Sequence, residues 1–311
     1  MWLYITRRLL WLPFLLVAAS LVTFTLGRYG PGDPVVVALG NRYEPNSAAA
    51  NNLRAQWGLD KPFAQQYMNY VWNALQGDFG ESYRFRGRAV SSLLLSKMWV
   101  SFQVNVAALI VSIGIGIPLG FFIAHKQGNW LDPTIVAIAL ILMSIPIMVS
   151  IPAFVWATCL KLDVLPCSGW GGFWDVRIIG PAVTMGIPGV AGLLRLMRAS
   201  TLDVMGQDFI RTAYSKGLSP TLVDYRHVFK NAMIPIITVL AFTMAGIFGT
   251  SFIAELLFGI PGLGNLAIES VWNRDYPVIM AITLIAATAF VLANLLADIA
   301  YSIVDPRIRY R

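Results

Sequence analysis

Charge is what this sequence lacks. Asp, Glu, Lys and Arg make up 13% of its 311 residues and apolar residues 57%, against roughly 25% and 45–50% in ordinary soluble domains. That is too little charge to cover the water-facing surface of one large domain or of two smaller ones, the choices that length alone allows. Histidine is nearly absent: His125 and His227 are the only two. Neither lies in an apolar stretch, and those stretches hold no Ser/Lys, paired Asp or His-x-x-x-His set, which argues against an intramembrane enzyme. They also lack the mid-bilayer carboxylates with which an ion-coupled carrier binds its coupling ion. No Gly-x-x-x-x-Gly-Lys-Ser/Thr run occurs, so a loop that cradles nucleotide phosphates is not expected in this chain.

What the chain has is long apolar runs. Leu9–Leu26, Met98–Ala124, Thr134–Leu160, Ile178–Leu194, Ala232–Ala254 and Val278–Ala297 contain no Asp, Glu, Lys or Arg. A helix needs about 20 residues to cross the hydrocarbon. The runs are continuous rather than alternating, which favours helices over a barrel. The expected class is an all-α integral membrane protein with six transmembrane helices. The fourth stretch is short and rich in Gly and Pro. Arg7-Arg8 ahead of the first could be misread as an export signal, faintly twin-arginine; five further spans and the lack of a small-x-small cleavage site make it an uncleaved first span.

Lys and Arg choose the side. With the N-terminus cytoplasmic, the inner segments carry Arg7, Arg8, Lys126, Arg195, Arg198, Arg211, Lys216, Arg226, Lys230, Arg307, Arg309 and Arg311. The short outer loops carry only Lys161, Arg177 and Arg274. Short loops decide topology, so both termini are placed inside. The same placement accounts for most of the net charge of +7 and leaves little to argue for nucleic acid. Trp2, Trp11, Trp99, Trp130 and Trp156 stand near span ends, as interfacial anchors or as packing between helices. Cys159 and Cys167 fall near the outer end of the third span. An oxidising exterior would permit a bridge; a small apolar Cys159 inside the bilayer is the other reading.

The chain divides into 1–27 (N-terminus and first span), 28–97 (an extracytoplasmic segment) and 98–311 (a five-helix core with a cytoplasmic loop at about 195–231). In 28–97, Pro31-Gly32-Asp33-Pro34 signals a turn. Ser47 opens a helix that Gly58 ends, Pro62 opens a second, and Gly77–Gly80 turns the chain again. A small helical cap is expected there. The inner loop is patterned as a helical hairpin. Phe209, Ile210, Ala213 and Tyr214 make one apolar face, with Asp208, Arg211, Ser215 and Lys216 elsewhere. Gly217 stops the helix, Ser219 and Pro220 start another, and Leu222, Val223, Tyr225, Val228 and Phe229 continue it. Physics leaves two readings open: a pair of membrane-surface helices, or a docking element for a soluble partner.

The same loop resembles the EAA loop of ABC importer permeases, in the form found in the dipeptide/oligopeptide/nickel branch. The matching residues are Phe209-Ile210-Arg211-Thr212-Ala213-Tyr214-Ser215-Lys216-Gly217-Leu218, then His227 and Lys230-Asn231-Ala232-Met233-Ile234-Pro235. Arg211 replaces the Glu of the general pattern, and His227-Val228-Phe229-Lys230 replaces Ile-x-Leu-Pro. Gly58-Leu59-Asp60-Lys61-Pro62, Gly77-Asp78-Phe79-Gly80, Phe258–Gly264, Asp275-Tyr276-Pro277 and Val304–Arg309 are similar to further family landmarks, so the likeness covers the whole chain. The long outer segment resembles the B-type subunit.

The resemblance implies a type I importer permease fold in a prokaryotic inner membrane and a peptide cargo, with nickel or another small solute as the alternative. It implies a second, C-type permease, two cytoplasmic ATPases that hold ATP and Mg, and an external binding protein. Asp208, Arg211, Thr212, Ala213, Lys216 and Gly217 would then couple to the ATPase, with Ala213 and Gly217 allowing close approach. Glu255, Pro261 and Gly262 are candidates for docking the binding protein. Polar residues inside apolar spans mark a path or bond to neighbouring helices: Gln103, Asn105, Ser144, Ser150, Thr243 and Asn294. Gly114, Gly116 and Gly120 suit close helix contact, and Pro118, Pro146, Pro152 and Pro188 suit kinks. Asp298 is a candidate partner for Arg195 or Arg198. No metal site and no cofactor held by this chain are expected.

Overall fold

The computed structural model describes the backbone of residues 2–29, 33–85, 87–245, 247 and 251–304; the side chains of 2–9, 11, 12, 37, 41, 245, 293, 294 and 296–304 are not described. The helices are α1 (Trp2–Tyr29), α2 (Pro34–Leu39), α3 (Ala48–Gln56), α4 (Phe63–Leu75), α5 (Val90–Ala124), α6 (Leu131–Ser144), α7 (Ile147–Val155), α8 (Ile179–Met205), α9 (Asp208–Ser215), α10 (Pro220–Val223), α11 (Lys230–Ala245), α12 (Phe252–Phe258), α13 (Leu263–Trp272) and α14 (Tyr276–Val304). Widened π turns follow α7 (Trp156–Lys161) and α10 (Asp224–Phe229).

Val90–Ala124, Val176–Met205 and Pro220–Met244 are each long and apolar enough to cross a bilayer. The pairs Leu131–Ser144 with Ile147–Lys161 and Phe252–Phe258 with Leu263–Trp272 raise the count to five among the described residues, if each pair is one span. Large side chains such as Phe14, Ile138, Ile141, Val149 and Phe242 stand exposed, more apolar surface than a water-facing protein carries.

Three expected spans differ from the structure. The third is not one helix: α6 and α7 meet at a bend of 99°, because Ile145, which precedes Pro146, leaves the helical region with φ −78° and ψ 119°. The fourth is longer than expected, a continuous helix to Met205 with Pro188 inside it, so Arg195 and Arg198 belong to the helix and the loop proper starts at Gly206. The fifth ends at Ala245, and α12 is a separate helix.

Two compact units form, residues 1–100 with 261–292 and residues 101–260 with 293–311. In the first, the capping expected from sequence is present. Ser47 Oγ accepts from Ala50 N at 3.3 Å, Gly58 takes φ +64° and Gly77 φ +78°, and α4 follows Pro62. Within the turn signal at Pro31–Pro34, Asp33 caps α2, accepting from Val35 N at 2.9 Å; Pro31 and Gly32 lie outside the described residues. The other carboxylate oxygen of Asp33 accepts from Arg54 at 2.5 Å, which joins α2 to α3 and raises the Arg54 guanidinium above its ordinary value. Phe24 of α1 packs its ring against Phe63, Tyr67 and Tyr70 of α4. Val90, Leu93, Leu94, Leu263, Leu266, Val278 and Ala281 form the buried core of this unit. Asp275 fastens the loop before α5: it accepts from Ser82 Oγ, from Tyr83 N at 3.0 Å and from Arg84 N at 3.2 Å.

In the second unit α8 is the central element, packed against α6, α7 and α11. In lipid the hydrophobic effect gives little drive for helix pairing, and close van der Waals contact takes over. Gly116 and Gly120 supply it: a Cβ at Gly120 would stand 2.5 Å from Leu194 O, and one at Gly116 2.9 Å from Val190 O. Gly114, expected to act alike, has open space beside it.

Candidate functional site

The hairpin between α8 and α11 has an apolar side that seats it on its own chain. Ile210 and Ala213 of α9 are buried with Val223 and Val228, against Phe121, Val204, Met205 and Leu218. Val223 and Val228 are five apart, yet share one face because the turn between them is a π turn, with its wider spacing. Two expectations fail here. Phe209 and Tyr214 do not join the apolar face; both are exposed. Ala213, expected to give close approach to a partner, is buried and gives close approach to α10 instead.

Asp208, Arg211, Thr212, Lys216 and Gly217 are all exposed. Gly217 has φ +76°, and a Cβ placed on it would meet nothing within 4 Å; its conformation, not crowding, demands glycine. The outer side of α9 therefore offers Arg211 and Lys216 flanked by Phe209 and Tyr214. The end of α5 clamps this hairpin, a contact that no local pattern in the sequence signals. His125 Nε2 lies 3.3 Å from Asp224 Oδ1 and its Nδ1 2.9 Å from Phe121 O, while Phe121 meets Phe229 edge to face at 5.3 Å. Arg198 is bound bidentately by Asp132, at 2.5 and 2.6 Å. Asp298, the expected partner of Arg195 or Arg198, has its side chain outside the described residues.

Farther along α5 is a buried polar network. Glu255 is fully buried and accepts from Ser101 Oγ at 2.5 Å and from Ser251 Oγ at 2.5 Å. Asn105 Nδ2 donates to Ser251 Oγ at 3.1 Å and to Ser101 O at 2.9 Å. The expectation that Glu255 faces a docking protein fails, because a side chain without exposed surface cannot. Gly262 is likewise buried and Pro261 half-buried. The expected path residues separate. Asn105 and Thr243 line one cavity of about 200 Å³ with Ser112, Met185 and Gly189. Ser144 and Ser150 donate to carbonyls of their own helix turns, Leu140 O and Ile147 O. Gln103 is half-buried outside that cavity, and the side chain of Asn294 lies outside the described residues. Among the described residues, no three His, Cys, Asp or Glu come together as a metal site.

Cys159 and Cys167 are joined by a disulfide, with Cα atoms 5.2 Å apart. It closes the π turn after α7 onto the following loop.

Long apolar helices, one of them broken between two spanning halves, with polar side chains between them and an exposed helical hairpin at one end, are the parts of a membrane permease. The chain belongs to the family described as binding-protein-dependent transport system inner membrane component, whose model matches residues 116–310; the N-terminal model of the same membrane components matches residues 1–88. It is a permease subunit of an ABC importer. It is 33% identical over 313 residues to a probable peptide ABC transporter permease of Sinorhizobium fredii, with 99% of both chains covered. It is 34% identical over 308 residues to the oligopeptide transport system permease OppB of Haemophilus influenzae, again with 99% of both covered. With the dipeptide transport system permease DppB of Escherichia coli it shares 33% identity over 338 residues and 99% of both. Among solved structures, a chain of the MetNI methionine ABC transporter in an inward-facing conformation shares the fold. The TM-score is 0.53 at 17% identity, over 68% of this chain and 96% of that one.

Proposed function

We propose that this subunit forms half of the translocation pathway of an ATP-driven importer for di- or oligopeptides. It pairs with a second permease chain and docks its α9–α10 hairpin on a cytoplasmic ATPase. In this reading six spans cross the inner membrane, both termini are cytoplasmic, and residues 28–97 are extracytoplasmic. ATP and Mg stay on the ATPases, and an external binding protein delivers the peptide. The observation that carries the reading is the hairpin. Its apolar face is occupied by its own chain, so the exposed Arg211, Lys216, Phe209 and Tyr214 are left for a soluble partner rather than for lipid. Several relatives are named for peptides, which favours that cargo. The Cys159–Cys167 bridge fits an oxidising outer side for the loop after α7. Closure of the ATPases on ATP moves the docked hairpins and alternates access.

The test is reconstitution of the chain with its partner subunits in proteoliposomes. ATP-dependent uptake of a labelled dipeptide that requires the binding protein is the expected result. Uptake by this chain alone, driven by an ion gradient, would overturn it in favour of a secondary transporter; uptake of nickel but no peptide would replace the cargo.

A further inference from the structure

The first unit contains a cleft of about 470 Å³, within the roughly 300–1,000 Å³ typical of small-ligand pockets. It lies among α3, α4, the loop after α4, the end of α1 and the first turn of α14. One wall is aromatic: Trp57 and Tyr83 stack with ring centroids 4.0 Å apart. Facing groups are polar and unspent. Asn69 and Asn73, one turn apart on α4, line the cleft exposed, and neither carboxamide has a hydrogen-bond partner among the described residues. Tyr70 Oη is buried without a partner among the described residues. With no accessible surface, this hydroxyl does not reach a ligand in the cleft. Charges of both signs reach the same space: Arg28, which spends one N–H on Leu59 O at 2.8 Å, Lys61, and Glu81.

Two exposed carboxamides without a partner among the described residues suit a backbone amide, which needs both a donor and an acceptor. An aromatic pair suits one apolar side chain, and opposite charges suit a zwitterion. We infer that this cleft is a peptide site of the permease itself, taking a short peptide with free termini: its amide on Asn69 and Asn73, a side chain on Trp57 and Tyr83, its carboxylate toward Arg28 or Lys61 and its ammonium toward Glu81. The inference rests on peptides being the cargo.

The experiment uses the permease–ATPase complex in nanodiscs without the binding protein. Equilibrium binding of labelled Ala-Phe is compared with that of its N-acetylated, C-amidated form. Asn69→Leu and Asn73→Leu are compared with wild type, each first shown to keep wild-type assembly and ATPase activity. The expected result is saturable Ala-Phe binding, weaker by about fivefold to tenfold in each variant and weaker again for the blocked form. Three outcomes overturn the site while leaving peptide import standing: no binding by a complex that imports Ala-Phe when the binding protein is restored; binding indifferent to both variants; or variants that lose capture of the binding protein but keep peptide affinity, which makes the cleft a protein-docking face. A complex that neither binds nor imports any dipeptide overturns the site together with the cargo.

Discussion

Ser101 Oγ donates to Glu255 Oε1 at 2.5 Å, a hydrogen bond that joins α5 to α12 inside a fully buried network. Ser101→Ala removes one of the two hydroxyl donors to Glu255 Oε1 and leaves Ser251 Oγ. Loss of one net hydrogen bond costs about 0.5–1.5 kcal/mol. A lowered midpoint of thermal unfolding in detergent is expected for Ser101→Ala, and a smaller loss for Glu255→Gln, which keeps an acceptor there. Equal stability of Ser101→Ala and wild type would remove this bond from the account.

Gly217 is at φ +76° in open space. A bulky residue adds roughly 1–2 kcal/mol of left-handed strain and a side chain on the face proposed above to meet the ATPase. Gly217→Leu is expected to insert normally, to lose ATPase capture and to lose transport. Gly217→Asn, which tolerates this conformation better, should retain part of both. Undiminished stimulation of the ATPases by Gly217→Leu would refute the coupling role.

Breaking the Arg198–Asp132 pair strands a carboxylate whose side chain is 6% exposed, while Arg198 is 28% exposed. The cost of Arg198→Met should therefore lie between the roughly 1 kcal/mol of a surface pair and the roughly 3–5 kcal/mol of a buried one. Arg198→Lys keeps the charge but not the two-point geometry and should fall between Met and wild type. Thermal melts of the three proteins decide the order.

His125→Ala should loosen the hairpin without unfolding the spans, because His125 touches Asp224 and the Phe121 carbonyl rather than the helical core. Faster backbone hydrogen exchange confined to 206–229, with lower transport per ATP hydrolysed, is the expected pattern. Unchanged exchange in that segment would show that the aromatic contact of Phe121 with Phe229 suffices.

The bridge between Cys159 and Cys167 predicts sidedness. A membrane-impermeant maleimide added to intact cells (spheroplasts where an outer membrane intervenes) should label the chain only after reduction. Labelling without a reductant shows that the thiols are free, and labelling only in inverted vesicles reverses the orientation.

Local rules carry far in this chain. The Ser47 cap, the Gly58 and Gly217 stops and the Pro62 start are legible because each depends on the backbone of its immediate neighbours. The break at Ile145–Pro146 is legible only as a kink, since proline fixes the local conformation but not the size of the bend. What sequence does not give is which polar groups meet across many residues. Glu255 reads as a surface carboxylate beside a turn, and only the third dimension brings Ser101 to it. Nothing in the sequence points from Arg198 to Asp132, at the start of a different helix, which holds it. In the hairpin, periodicity puts Phe209 and Tyr214 on the apolar side; the narrow contact with α10 has room for Ile210 and Ala213 alone.

The close fit of Gly120 and Gly116 on Leu194 and Val190 has a mechanical consequence. α8 runs unbroken for 27 residues, about 40 Å at 1.5 Å per residue, and passes into the hairpin through Gly206. Where two backbones touch with no side chain between them, neither can tilt alone. If the hairpin is the coupling element proposed above, a push on it would travel along α8 as a lever stroke, with the glycine contact on α5 as its pivot. Enlarging either glycine would change the stroke before it changed the hairpin.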